Sequence, residues 1–291
     1  MARTLAQPAM LAVSRARRRK LDWHAVTAHA ILVAAVALLA FPLYYAFVIS
    51  TQTLSQVTTM PPKPWPSTAM VTNYVDAWQR AQMGRMLINS AIVALSVAVG
   101  KIAISLLSAF AIVYFDFRGK QVVFWMIFVT LMLPVPVRIV STYQVMSVLG
   151  WVNTYWGLTV PLMASATGTF LFRQFFRTIP DSLAEAAQLD GAGPLRFLWT
   201  ILLPLSKANM AALFVILFVY GWNDYLWPLM VTNTPDMRTA VIGIETLVPR
   251  TSQLPEWNIA MAAAIMILLP PVAVIVAMQR WFVKGLIETE K

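Results

Sequence analysis

Cysteine is absent from the chain, and histidine occurs only twice. The first absence closes disulfide, iron–sulfur and thiolate-zinc chemistry. His24 and His29 have no cluster of acidic side chains around them in sequence, so they are expected to be interface residues rather than metal ligands. No Ser-His-Asp or paired-carboxylate pattern suggests an enzyme. Charge is scarce too: 12% of residues are charged against 59% hydrophobic, with a mean hydropathy of +0.69. A soluble domain carries about 25% charge, so the composition points to a polytopic membrane protein. Gly100-Lys101 lacks the upstream glycine and following Ser/Thr of a phosphate loop, and ATP binding by that route is not expected. The net charge of +10 does not indicate nucleic acid, because most of it sits at the edges of apolar segments.

What is present is apolar sequence cut to membrane length. Crossing a ~30 Å core takes about 20 residues at 1.5 Å each. Spans are expected near 25–49, 86–114, 121–144, 157–176, 207–231 and 258–280. A basic leader, residues 1–24 with Arg15, Arg17, Arg18, Arg19 and Lys20, shows no clear cleavage site and is read as retained. The rest, 25–291, forms one transmembrane domain. With 1–24, 116–120, 173–207 and 280–291 inside, that side holds 15 of the 22 lysines and arginines. Outer loops hold 5 and the spans two. The expectation is an all-α membrane protein with six transmembrane helices and both termini cytoplasmic. Pro134 and Pro136 should break the third span, and residues 232–257 should form a polar outer loop.

The most polar and punctuated stretch is 178–206, on the inner side. Pro180-Asp181 suits a helix start, with Asp181 available to cap free amides and Glu185 near the positive end of the dipole. Gly191 stands where helices commonly end left-handed, and Gly193-Pro194 suits a second start. Pro204 should interrupt that second helix. Glu185-Ala186-Ala187, Asp190-Gly191-Ala192 and Ile201-Leu202-Leu203-Pro204 together resemble the EAA loop of ABC importer permeases. Asp190 and Ala192 are similar to the maltose-type carbohydrate branch. The resemblance implies a type I importer permease fold whose loop is a coupling helix docked in a cleft of an ATPase subunit. Small Ala186 and Ala187 would permit close approach.

More of the chain resembles that branch: Asn73-Tyr74, Asn89-Ser90, and Trp222-Asn223 with Pro228. Strings such as Phe124-Trp125-Met126-Ile127-Phe128, Phe170-Leu171-Phe172-Arg173-Gln174-Phe175-Phe176 and Tyr225-Leu226-Trp227-Pro228-Leu229 resemble the second permease subunits of sn-glycerol-3-phosphate importers. This resemblance implies half of a translocation pathway in a bacterial inner membrane. It implies a heterodimer with a homologous permease, an ATPase dimer that holds the ATP and magnesium, and a periplasmic substrate-binding protein. No cofactor is expected on this chain itself.

Three ionisable residues fall inside spans: Lys101, Arg138 and Asp224. Each costs at least about 2.5–3.5 kcal/mol if it faces lipid, so each should face protein or water. Arg138 could grip a phosphate with its guanidinium fork, or snorkel outward, or pair with Asp224. Trp222, Asn223 and Tyr225 offer an indole, an amide and a phenol beside Asp224 as substrate-pathway groups, or as an interior network. Lys101 is read as paired within the bundle, and Asn89 and Ser90 as hydrogen-bonding links between helices, Asn89 remaining a pathway candidate. The phosphorylated ligand competes with a neutral sugar or oligosaccharide. A self-sufficient secondary carrier is the alternative from another class, with Asp224 its sole available coupling carboxylate.

Overall fold

The computed structural model describes residues 23–130, 135–247 and 255–288, so residues 1–22 of the basic leader, Pro134 and Arg250 lie outside the described residues. The chain divides into two units, Met1–Tyr45 and Ala46–Lys291. The described part of the first unit belongs to helix α1, Trp23–Ser50. Its apolar residues occupy every face, and Ile31, Leu38 and Leu39 are exposed, as suits a helix immersed in lipid. Thr27 and His29 bond to carbonyls of their own helix.

Among its described residues, the regular elements of the second unit are all helical. After α1 come α2, Met70–Arg80, and the central helix α3, Met83–Tyr114. Then follow α4, Lys120–Val129; α5, Val135–Val148; α6, Tyr155–Thr159; and α7, Ala166–Phe176. The stretch 178–206 supplies α8, Asp181–Leu189, and α9, Pro194–Phe197. The rest are α10, Lys207–Trp222; α11, Leu226–Val231; α12, Ala240–Leu247; and α13, Trp257–Glu288.

The core gathers round α3, which packs on α7 and α10, with α13 behind α10. Small buried residues make the close approach possible: Ala94 and Ala98 on α3 have no exposure. A Cβ on Gly221 of α10 would stand 3.3 Å from the Ala94 Cα, tight enough that the helices would have to part slightly to admit it.

Among the described residues, three helices are continuous and long enough to span: Trp23–Ser50, Met83–Tyr114 and Trp257–Trp281. The fourth and fifth expected spans are divided. Helices α4 and α5 lie in the third, and residues 131–134 between them, where its expected break falls, lie outside those described. The fourth is broken at Met163–Ser165, after a short 3-10 turn at Val160–Leu162. The fifth is broken at Asn223–Tyr225.

Two sequence expectations need correction. The outer segment 232–257 is not simply a polar loop, because α12 buries Ala240 and Ile242 within the bundle. Its period was hidden by length: eight residues carry little helical signal. Pro204 also does not end its helix. A π-helical turn at Leu198–Leu202 widens the backbone just upstream, which accommodates a residue without an N–H. The chain turns instead at Ser206, where the segments Pro194–Leu205 and Lys207–Trp222 meet at 73°. The Ser206 hydroxyl is buried and donates to the Leu202 carbonyl at 2.6 Å.

Candidate functional site

The loop 178–206 forms by local rules. Pro180, extended at ψ 135°, is the cap residue of α8, and its carbonyl accepts from Leu183 N at 3.1 Å. Asp181 makes no side-chain cap; it lies in the first turn, where its charge meets the positive helix end. At the other end Gly191 adopts φ +70°, which lets Ala192 N–H reach the Ala187 carbonyl at 2.8 Å. A residue with a side chain would pay about 1–2 kcal/mol there. Gly193 and Pro194 then open α9, with proline in the first turn.

The loop presents two faces. Ala187 is buried against the bundle, whereas Glu185, Ala186, Asp190 and Gly191 are exposed and Leu189 is 89% exposed. Ala192, Ile201 and Leu203 are half-buried, and Pro204 is exposed. The mounting is aromatic. Phe197 meets Tyr114 at the end of α3 edge-on, centroids 5.2 Å apart, and Tyr114 packs on Phe176 at 6.0 Å. Between α8 and the end of α3 lies a pocket of about 220 Å³ lined by Phe110, Tyr114, Asp116, Ala187, Gln188 and Phe197. Sequence reasoning missed Phe110, Tyr114 and Phe197 as the seat of this loop, since aromatic residues are frequent throughout the chain.

A second group of residues lies on or beside the apolar helices α3, α5 and α10. The Lys101 ammonium stands over the Tyr220 ring, 4.7 Å from its centroid, so Lys101 is held by a π face rather than by a carboxylate. Arg138 is exposed. Among the described residues the ion pairs are Arg80–Asp76, Arg80–Glu256 and Lys120–Asp116, so Arg138 and Asp224 do not form one. Asp224 is half-buried in the break between α10 and α11. Asn223 is exposed, and the half-buried Tyr225 donates its hydroxyl to Glu245 at 3.2 Å. Trp222 is 1% exposed and its indole N–H donates to the Ile267 carbonyl at 3.1 Å.

The end of the bundle at the start of α3 is tied by amides. Asn89, buried on α3, donates to the carbonyls of Asp236 and Arg238 at 2.7 and 2.9 Å, and accepts from the Tyr155 hydroxyl at 2.6 Å. Next to it, the Ser90 hydroxyl accepts from Ala240 N at 2.8 Å. Asn73 on α2 donates to the Ser50 and Gln52 carbonyls, both at 2.8 Å, and accepts from Asn258 of α13 at 2.8 Å.

Comparison with known proteins places this geometry. Residues 101–288 match the family described as binding-protein-dependent transport system inner membrane component. The chain is 54% identical to the sn-glycerol-3-phosphate transport system permease protein UgpE of Agrobacterium fabrum, over 91% of this chain and 97% of that one. It is 51% identical to the protein of the same name from Yersinia enterocolitica, over 94% and 99%. In fold it is similar to a chain from the crystal structure of a bacterial ABC transporter involved in the import of alginate. That likeness has a TM-score of 0.78 and 20% identity, and covers 89% of this chain and 96% of the other. A chain from a bacterial alginate ABC transporter in complex with a pentasaccharide-bound periplasmic protein gives a TM-score of 0.63 at 16% identity, with the same coverage.

Proposed function

Because this chain belongs to the family of binding-protein-dependent transport system inner membrane components, which are transport proteins and not enzymes, we propose that it is a permease subunit of an ABC importer for sn-glycerol-3-phosphate or glycerophosphodiesters. The observation that carries the substrate class is the 54% identity, over 91% of the chain, to a permease named for sn-glycerol-3-phosphate. The chain crosses the bacterial inner membrane six times, with both termini in the cytoplasm. It forms half of the translocation pathway beside a homologous permease.

The loop of α8 and α9 couples the pathway to ATP hydrolysis. Its exposed face, with Glu185, Ala186, Leu189 and Asp190, docks in a cleft of one subunit of an ATPase dimer, and that dimer holds ATP and magnesium. Its buried face, through Ala187 and Phe197, passes the push to the end of α3. A periplasmic binding protein delivers substrate to the outer loops. The broken spans support a pathway lining, because non-helical backbone at membrane depth is tolerated only against protein or a wet cavity.

Substrate-stimulated ATP hydrolysis by the reconstituted complex with its binding protein tests the substrate. Glycerol-3-phosphate and glycerophosphocholine should stimulate and maltose should not. Stimulation by maltose alone would replace the substrate class with a neutral sugar and keep the permease. Transport without any ATPase subunit would favour a self-sufficient carrier.

A further inference from the structure

The segment that follows the turn between α8 and α9 has two apolar faces, and the bundle uses one. From Pro194 to Leu205 it buries Phe197, Leu198 and Leu202. On the opposite side Leu195 and Trp199, one turn apart, are 65% and 66% exposed, and half-buried Leu203 follows one turn later. Exposed Arg196 and Thr200 flank this ridge. Large apolar side chains in such a row have to be covered by lipid or by protein.

Three observations choose lipid. The first is direction: the segment meets the apolar helix α10 at 73°, so it runs close to the bilayer plane when α10 crosses the membrane. The second is height. Phe197 packs on Tyr114, the last residue of α3, and α3 has 32 residues, roughly 48 Å of helix. A bilayer with its headgroups is about 40–45 Å thick, which puts the end of α3 at headgroup level. Helix α2, beside the other end of α3, repeats the pattern with Val71, Val75 and Trp78 exposed in one row. An exposed tryptophan at each end of a span is how interfacial belts are built.

The third observation is charge. From Gly191 to Asn223 there is no acidic residue, and the only charges are the exposed Arg196 and Lys207. Neither is in an ion pair among the described residues. From Thr178 to Leu195, by contrast, the charges are Asp181, Glu185 and Asp190, with no base among them. An anionic membrane surface repels the first set and attracts the second, so α8 faces protein and the segment after it faces lipid.

We propose that Pro194–Leu205 is an in-plane seat on the inner leaflet, with Leu195 and Trp199 at the acyl boundary and Arg196 and Lys207 on lipid phosphates. The seat rests on the orientation in the importer reading above, which puts α8 in the cytoplasm. It adds a second support to the coupling loop. By fixing the height of α8 against the bilayer, it directs a push from the ATPase into α3 instead of letting the loop lift.

The test exploits the absence of cysteine from the chain. A nitroxide on Trp199→Cys reports depth in the complete complex, with partner thiols replaced by serine, in vesicles of phosphatidylcholine and phosphatidylglycerol. Oxygen concentrates in lipid, and a nickel chelate stays in water. The label at 199 should relax mainly through oxygen, both with the ATPase bound and after it is stripped away. A label on Ala186→Cys should meet the chelate in the stripped complex and be shielded when the ATPase returns. Arg196→Gln should raise chelate access at 199 about fivefold, the loss of one cation at an anionic surface, and only where phosphatidylglycerol is present. If Trp199→Cys does not assemble, Leu195→Cys on the same ridge carries the measurement. Chelate access at 199 in both states overturns the seat. Access that the ATPase abolishes overturns it too, and makes the ridge part of the ATPase interface. Unchanged access in Arg196→Gln overturns the headgroup contact. Failure to import glycerol-3-phosphate with a lipid-facing label at 199 counts against the substrate reading and leaves the seat standing.

Discussion

The Trp222 indole N–H donates to the Ile267 carbonyl at 3.1 Å, and this is the carbonyl that Pro271 leaves without a helical donor. In a regular helix, residue 271 would supply that bond; proline has no N–H to give. The same device recurs at Trp227, whose indole N–H donates to the Gly157 carbonyl at 3.0 Å, four residues before Pro161. Two buried tryptophans thus repair two proline-made gaps. In a bilayer such gaps must be met by neighbouring side chains, because water is not at hand.

Trp222→Phe and Trp227→Phe should therefore lower the thermal stability of the purified complex. Each leaves a buried carbonyl unmet, a cost of about 1–3 kcal/mol. Uptake per assembled complex should be retained for Trp222→Phe. Normal stability with failed uptake would instead place Trp222 in the substrate pathway.

Asn73 and Arg80 sit seven residues apart on α2 and should behave oppositely. The Asn73 amide is buried and joins α2 to the chain after α1 and to Asn258. Asn73→Ala strands those partners and should cost about 1–3 kcal/mol or more, seen as a lower melting temperature in detergent. Arg80 bridges Asp76 and Glu256 with about half its side chain exposed. Arg80→Ala should change stability by less than about 1 kcal/mol, and raising salt should shrink the difference further.

How legible this was in the sequence depended on whether local rules or tertiary contacts decided each residue. Gly191 and Pro194 obey backbone chemistry that any helix end shows, so the turn between α8 and α9 could be placed from letters alone. Lys101 is expected to pair within the bundle, but its partner Tyr220 is not legible in the sequence, because only packing of α3 against α10 brings that ring beneath it. Asn89 read as a link between helices and as a pathway candidate. Its three bonds tie the end of the bundle at the start of α3, through partners far away in sequence. The bend at Ser206 was missed for a different reason: Pro204 is the stronger breaker by rule, but the π turn before it absorbs the defect.

Ala186 and Ala187 are chemically identical neighbours with different surroundings. Ala187→Leu forces a larger side chain into a 5% exposed position, and overpacking of this kind costs about 1–3 kcal/mol. It should loosen α8 from the bundle and lower the stability of the permease alone. Ala186→Leu projects outward and should leave that stability unchanged while reducing co-purification of the ATPase. Equal effects of the two variants on ATPase association and on stability would mean that the exposed face is not the docking face.

Gly191 offers the sharpest separation of folding from coupling. Its φ of +70° and its N–H bond to the Gln188 carbonyl at 3.0 Å are both incompatible with proline, whose φ is fixed near −65°. Gly191→Pro must therefore re-aim the turn between α8 and α9, while no Cβ at this position meets another atom within 4 Å. The defect is confined to backbone direction, so insertion into the membrane should be normal. Glycerol-3-phosphate uptake should vanish, and the ATPase should dissociate on purification. Gly191→Asn, a residue that visits the left-handed region most readily after glycine, should keep a substantial share of uptake. Glu185→Lys reverses a charge on the exposed face without touching the turn, and should give the same loss of uptake and of bound ATPase. Normal uptake in both Gly191→Pro and Glu185→Lys would remove the coupling role from this loop.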